Sequence, residues 1–328
     1  MRPRALVAPD SFKGTFDAPA VARALAAGLD EAGWDADLCP VADGGEGTMA
    51  VLVDALGGEL VSARAGDPLG RPVDCAFALV DGGATAIVEM AQASGLGRVA
   101  PHERDPWRAS TRGTGELILA AAATGARKIV VAVGGSATTD GGAGAIEAIR
   151  AGGGIDGVAL EVLCDVQLPF ERAARVFAPQ KGAGEALVAR LEERLDALAR
   201  TLAKDPRGVP ATGCAGGLSG GLWAEFDAAL RPGAAAVLEA LAVDERLRAA
   251  QLAIAGEGCL DDQSFGGKIV GELVRRAHAA GVPIHAVAGT SRLSDDAAAA
   301  AGLARVWVAS TLDEITAAGR RLGVAATP

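Results

Sequence analysis

Four times along this chain an apolar run ends in a cluster of Asp, Gly, Ser or Thr, and an amphipathic helix follows. The clusters span Ala8–Thr15, Pro40–Thr48, Gly134–Gly144 and Ala255–Lys268. A buried strand that hands polar residues to the N-terminus of the next helix is the repeating unit of a parallel sheet, and ligands of such sheets bind at that junction. The last cluster is the densest, with Glu257, Asp261, Asp262, Gln263, Ser264 and Lys268 in a glycine-rich stretch. It is not a Walker loop, because Ile269 follows Lys268 and no glycine stands at position 262. Its chemistry has to be read together with the other three.

The two ends of the chain carry the parallel pattern. Strands at Ala5–Ala8 and Asp37–Val41 alternate with helices at Ala18–Ala32 and Glu46–Leu56. After position 250, strands at Leu252–Ala255, Ile284–Ala288 and Arg305–Ala309 alternate with helices at Ile269–Ala280, Asp295–Ala301 and Leu312–Leu322. Together they predict one flavodoxin-like α/β domain from residues 1–57 and 245–328, a parallel sheet of order 2-1-3-4-5. Residues 58–244 have a different texture: Glu59–Glu89 alternates and turns at Asp67-Pro68-Leu69-Gly70 and Asp81-Gly82-Gly83, as antiparallel hairpins do. A helix at Gly115–Ala123, strands at Lys128–Val133 and Leu160–Cys164, and a long helix at Glu185–Leu202 follow. This predicts a second α/β (α+β) domain inserted into the first.

Composition narrows the partners. A net charge of -10, 3% aromatic residues and no tyrosine leave neither a basic footprint nor stacking platforms, so no nucleic acid is expected. Cys39, Cys75, Cys164, Cys214 and Cys259 are scattered without a Cys-x-x-Cys pair, which argues against zinc and disulfides and for a reducing cytoplasm. Met1-Arg2-Pro3-Arg4 leads into a strand without the apolar stretch expected of a signal peptide, and no apolar run reaches membrane length, so a cytoplasmic protein without a membrane partner is expected. An anionic small molecule would be held by a few local cations.

Asp10, Ser11 and Lys13 follow the first strand at the crevice where the predicted sheet reverses direction, and Glu257 and Asp261 follow the neighbouring one. Each alone reads as well as a helix cap. Convergence of the set from adjacent strand ends favours a site. Asp43-Gly44-Gly45-Glu46-Gly47 matches a dinucleotide fingerprint weakly, but the glycines follow the second strand and Asp43 would repel a pyrophosphate. Gly135, Ser136, Thr138 and Asp140 lie in a loop whose amides can form an anion-binding nest. Lys181 reads on its own as a surface lysine, and the glycines of Gly213–Leu218 suit close helix packing as well as ligand contact. His102, His278 and His285 show no metal spacing.

With these clusters read, the chain resembles the bacterial glycerate kinase family of the type that includes glycerate 2-kinase. The similarity lies in A-P-D-S-F-K-G, P-V-A-D-G-G-E-G-T, S-T-R-G-T-G-E-L-I, G-G-S-A-T-x-D-G-G-A-G, C-D-V, F-A-P-Q-K-G-A, A-G-G-L and G-E-G-x-L-D-x-Q-S-x-x-G-K, in order through nearly the whole chain. The resemblance implies ATP-dependent phosphorylation of D-glycerate with Mg²⁺, most often to 2-phosphoglycerate, in the cleft between the two domains. It makes Asp10, Lys13, Asp261 and Lys268 the catalytic candidates, the lysines for phosphate or carboxylate and either acid for the proton of the attacking hydroxyl. Asp43, Asp165 and Asp261 are the candidates for Mg²⁺, directly or through water. Ser11, Gly44, Gly45, Glu46, Arg112, Gly135, Ser136, Thr138, Asp140, Lys181, Glu257 and Ser264 are the candidates for binding substrate or nucleotide. The chain departs from the family's usual pattern at Thr139, at Leu168-Pro169, and in the short segments Arg150–Glu161 and Phe170–Arg175. Alternatives are a kinase for another small hydroxy acid, one that forms 3-phosphoglycerate, and a shortened, non-catalytic nucleotide-binding relative. A monomer or homodimer is expected.

Overall fold

The computed structural model describes residues 2–12 and 14–326. They form two compact units, one holding the chain up to Asp43 and again from Ala234, the other holding Gly44 to Gly233. The first unit opens with β1 (Arg4–Pro9), α1 (Ala18–Glu31) and β2 (Asp35–Leu38). The second runs through α2 (Thr48–Leu56), β3 (Glu59–Gly66), β4 (Pro72–Val80), β5 (Thr85–Glu89), α3 (Ala91–Ser94), α4 (Arg112–Ala123) and β6 (Lys128–Ala132). It continues with α5 (Ala143–Ala151), β7 (Ala159–Cys164), α6 (Ala173–Phe177), α7 (Glu185–Ala199), α8 (Cys214–Phe226) and β8 (Ala229–Pro232). The chain then returns through α9 (Gly233–Ala240), α10 (Val243–Arg248), β9 (Leu252–Leu260), α11 (Ile269–Ala280), β10 (Ile284–Ser291), α12 (Asp295–Ala300), β11 (Val306–Val308) and α13 (Leu312–Ala326).

In the first unit every sheet pairing is parallel, in the order β11-β10-β9-β1-β2. Numbered within the unit this is the 2-1-3-4-5 order, and the winding reverses between β1 and β9. Residues Ala5 to Ala8 and Leu252 to Ala255 are buried, as the strands of a sheet covered on both faces must be. Asp17 caps α1 by accepting from the Ala20 amide at 2.7 Å, and Pro19 sits in its first turn, where no amide is needed. The strand expected to stop at Ala255 runs on to Leu260, because β10 pairs with it as far as Thr290 with Cys259 and Ser291 with Leu260. Gly256 permits that extension: a Cβ there would lie 2.7 Å from the Pro9 ring.

The second unit carries the order β3-β4-β5-β6-β7-β8, antiparallel through β5 and parallel from there. Its core gathers Phe77, Val88, Ile118, Ile129, Ile149 and Leu218. A smaller core under α6 and α7 forms around Phe170, Leu191 and Leu195. The division between units falls before α2 and at the start of α9, where the sequence reading puts it after 57 and before 245. The physical reason is packing: α2 lies on β4 and β5, and its Met49 amide donates to Glu89 Oε1 at 2.8 Å. Residues of α9 and α10 are tied to α11 through the buried Arg276, which donates to Asp244 at 3.0 Å and to the Ala235 carbonyl at 3.3 Å. No described helix is long and apolar enough to cross a membrane.

Candidate active site

At the C-terminal ends of β1 and β9 the first unit has a cavity of about 440 Å³ lined by Asp10, Ser11, Thr15, Glu257, Asp261 and Lys268. Asp10 is 7% exposed and comes directly after β1; its amide donates to the Gly256 carbonyl at 2.9 Å and its Oδ1 accepts from the Ser11 amide at 2.6 Å. Those two bonds fix the carboxylate at the mouth of the crevice. An antiparallel bridge between Phe12 and Phe16 closes the loop that follows. Lys13 lies outside the described residues.

Glu257 stands on β9, and Asp261 begins the turn beyond it. The Asp261 Oδ1 accepts from the Gln263 amide at 3.0 Å, while Ser264 Oγ accepts from the Asp261 amide at 3.2 Å. This reciprocal capping box makes Ser264 structural, since it is buried and does not line the cavity. Lys268 takes the position before α11 and lines the cavity, without an ion-pair partner among the described residues. Gly289, Thr290 and Ser310 complete the wall from the ends of β10 and beyond β11. Sequence reasoning missed these three, although the parallel order it predicted brings those strand ends to the same rim.

The cavity's described lining sets three carboxylates against one ammonium. A polyphosphate can enter such a place only with further positive charge. No group of three or more His, Cys, Asp or Glu among the described residues is arranged to hold a metal ion. Asp261 lines this cavity, Asp43 follows β2 half-buried outside its lining, and Asp165 belongs to the second unit. The donor set suits a cation carried largely by phosphate and water oxygens with one or two carboxylates, as Mg²⁺ is bound.

The second unit has a cavity of about 250 Å³ lined in part by Gly135, Ser136, Asp165, Gln180, Cys214 and Ala215. Lys181 is 1% exposed, so its expected surface position is corrected: its Nζ donates to Ser136 Oγ at 2.8 Å and to the Thr138 carbonyl at 2.5 Å. Burial pushes its ammonium down from the usual lysine range to about 7, against the attraction of Asp140. Thr138 contributes that carbonyl, and its hydroxyl is buried without a partner among the described residues.

Asp140 is likewise turned inward. Its carboxylate accepts from the Thr111 amide at 2.8 Å, the Thr111 hydroxyl at 2.9 Å, and the Gly142 and Gly144 amides at 3.2 Å. It ties the starts of α4 and α5 together and does not reach the cavity. Arg112 is exposed and pairs with Glu116 and Glu147 at 3.2 Å each, away from both cavities. Gly44 and Gly45 lie in close backbone contact: Cβ atoms built on Gly44 and Gly134 would lie 2.6 Å from Gly233 Cα and Gly45 Cα. Glu46 is exposed, its Oε2 beside Gly135. Gln180, Cys214 and Ala215, from the two loops weighed in the sequence without being assigned to the site, also line the cavity, the last with φ 53°, a left-handed conformation that is strained for alanine.

A family model described as the glycerate kinase family matches residues 5–156 and 150–320. The chain belongs to the glycerate kinase family. Among curated members, glycerate 2-kinase of Escherichia coli is 38% identical over 331 aligned residues, covering 89% of this chain and 86% of that protein. The glycerate kinase of Halalkalibacterium halodurans is 38% identical over 322 residues, covering 87% and 85%. A crystal structure of a candidate glycerate kinase 2 from Salmonella typhimurium superposes with a TM-score of 0.84 at 32% identity, covering 99% of this chain and 98% of that one.

Proposed function

We propose that this glycerate kinase transfers the terminal phosphoryl group of ATP to the 2-hydroxyl of D-glycerate, with Mg²⁺, in the cytoplasm. The observation that carries the reading is the convergence of Asp10, Glu257, Asp261 and Lys268 on one cavity at the switch point of the parallel sheet. Phosphoryl transfer asks for positioning and neutralisation of charge more than for covalent chemistry. Lys268, at the start of α11, supplies a cation toward the oxygens of the transferring group or the substrate carboxylate. Mg²⁺, when bound with the nucleotide, offsets the negative charge that the cavity's carboxylates would otherwise add to.

The attacking hydroxyl must lose a proton as its oxygen bonds to phosphorus. Asp10 and Asp261 both line the cavity, and a carboxylate at either place can accept that proton. Asp10→Asn and Asp261→Asn separate them: the base variant loses kcat with little change in KM.

The preference for 2-phosphoglycerate draws on the similarity to glycerate 2-kinase. Phosphorus NMR of the product mixture, taken with no mutase present, tests it. A dominant 2-phosphoglycerate resonance is expected, whereas a dominant 3-phosphoglycerate resonance would overturn the regiochemistry and leave the kinase reading intact.

A further inference from the structure

The second unit holds a hydroxyl that its own structure leaves with a proton to give. Ser136 lines the 250 Å³ cavity, and its backbone is pinned there by a bridge to Gly95 while the Leu96 amide donates to the Gly135 carbonyl at 2.7 Å. Its Oγ accepts from Lys181 Nζ at 2.8 Å. No described group accepts the Ser136 proton. A serine hydroxyl has one donor and two lone pairs, so a lone pair fixed by an ammonium turns the O–H elsewhere and makes it a stronger donor. Lys181 cannot meet a ligand itself, being 1% exposed and bonded also to the Thr138 carbonyl at 2.5 Å.

We infer that Lys181 is a positioning residue that aims the Ser136 hydroxyl at an anionic oxygen of a substrate in this cavity, and that it acts through Ser136 alone. The inference rests on the kinase reading. Both the carboxylate of glycerate and a phosphate of the nucleotide offer the required oxygen. Gln180, Asp165 and Ala215, the last at the start of a left-handed turn, line the same space together with the apolar Leu96, Val133 and Phe177.

The arrangement predicts a pH signature. The ammonium, lowered to about 7 by burial, is present below that value and lost as pH rises through it. The charged or titratable groups around it are Asp140 before α5, Asp165 after β7, Cys214 at the start of α8, and Arg104, whose backbone packs against Gly182. Only Asp140 opposes the shift through its charge.

The test is steady-state kinetics of wild type, Ser136→Ala, Lys181→Met and the double variant, for glycerate and for ATP, from pH 6 to 9, with unfolding curves of each. The expected result is a fall of about tenfold or more in kcat/KM for Ser136→Ala, the same fall for Lys181→Met, and no further loss in the double variant. The wild-type decline above about pH 7 disappears in Ser136→Ala. A KM effect confined to glycerate assigns the carboxylate, and one confined to ATP assigns the phosphate. If Lys181→Met does not fold, Ser136→Ala and its pH profile decide. Wild-type kinetics in Ser136→Ala, or an unchanged alkaline limb in it, overturns the inference while glycerate turnover by wild type still stands. Absence of glycerate turnover in the wild type overturns the kinase reading first.

Discussion

Asp140 and Lys268 are both charged, both sit in glycine-rich loops, and have opposite fates. Asp140 is 1% exposed and spends its carboxylate on four donors from Thr111, Gly142 and Gly144. Asp140→Ala leaves those buried donors unpaired, so urea unfolding is expected to show a loss of about 3 kcal/mol. A change below about 0.5 kcal/mol would show that water replaces the carboxylate. The Lys268 ammonium has no hydrogen bond or ion pair among the described residues and lines the first unit's cavity. Lys268→Ala is expected to lower kcat/KM about 100-fold or more while leaving the unfolding midpoint unchanged. Wild-type kinetics would move the site elsewhere. Sequence marks these residues as polar groups at strand ends, yet whether a carboxylate turns inward depends on which amides fold around it. The Thr111 amide is 29 positions away from Asp140 in sequence. Lys181 is the same case in reverse: its burial follows from Ser136 and Thr138, which no local pattern ties to it.

Elements repeat the lesson at larger spacing. The strand and helix alternation at both chain ends is legible because apolar runs and helical periodicity are local. The continuation of β9 to Leu260 is not, since Gly256-Glu257-Gly258 reads as loop until β10 pairs with it. The contact of α1 with α13 is also invisible in sequence. A Cβ on Gly28 would overlap the Thr316 carbonyl oxygen and lie 2.6 Å from the Arg320 amide, and one on Gly319 would overlap the Leu25 carbonyl. The two helices thus meet backbone to backbone through glycines. Gly28→Ala gains about 1 kcal/mol of helix propensity but must push α13 outward, at a cost of about 1–3 kcal/mol or more for such overpacking. Thermal unfolding is expected to show net destabilisation; a stabilised variant would mean that α13 moves freely. The Leu168-Pro169 departure is absorbed locally: Gly213 donates to the Leu168 carbonyl at 2.8 Å, and a Cβ there would lie 2.5 Å from the Pro169 carbonyl oxygen.

For the whole molecule, the two chain ends share one parallel sheet and the middle builds another, each with its own core. The sheet order is what brings Asp10 beside Glu257 across more than 240 residues of sequence, from Ala8 paired with Ala255 to Pro9 paired with Gly256. With a net charge of -10 and a carboxylate-rich cavity, anionic substrates are held by local cations and not by a general field. We propose that this cavity serves ATP-dependent phosphorylation of glycerate. It is tested most directly by coupled ADP release from the purified protein with D-glycerate and a panel of small hydroxy acids, with and without Mg²⁺. The expected result is Mg²⁺-dependent ADP release with a kcat/KM for D-glycerate about tenfold or more above every other acid. No ADP release above background, or a higher kcat/KM for another acid, would contradict it.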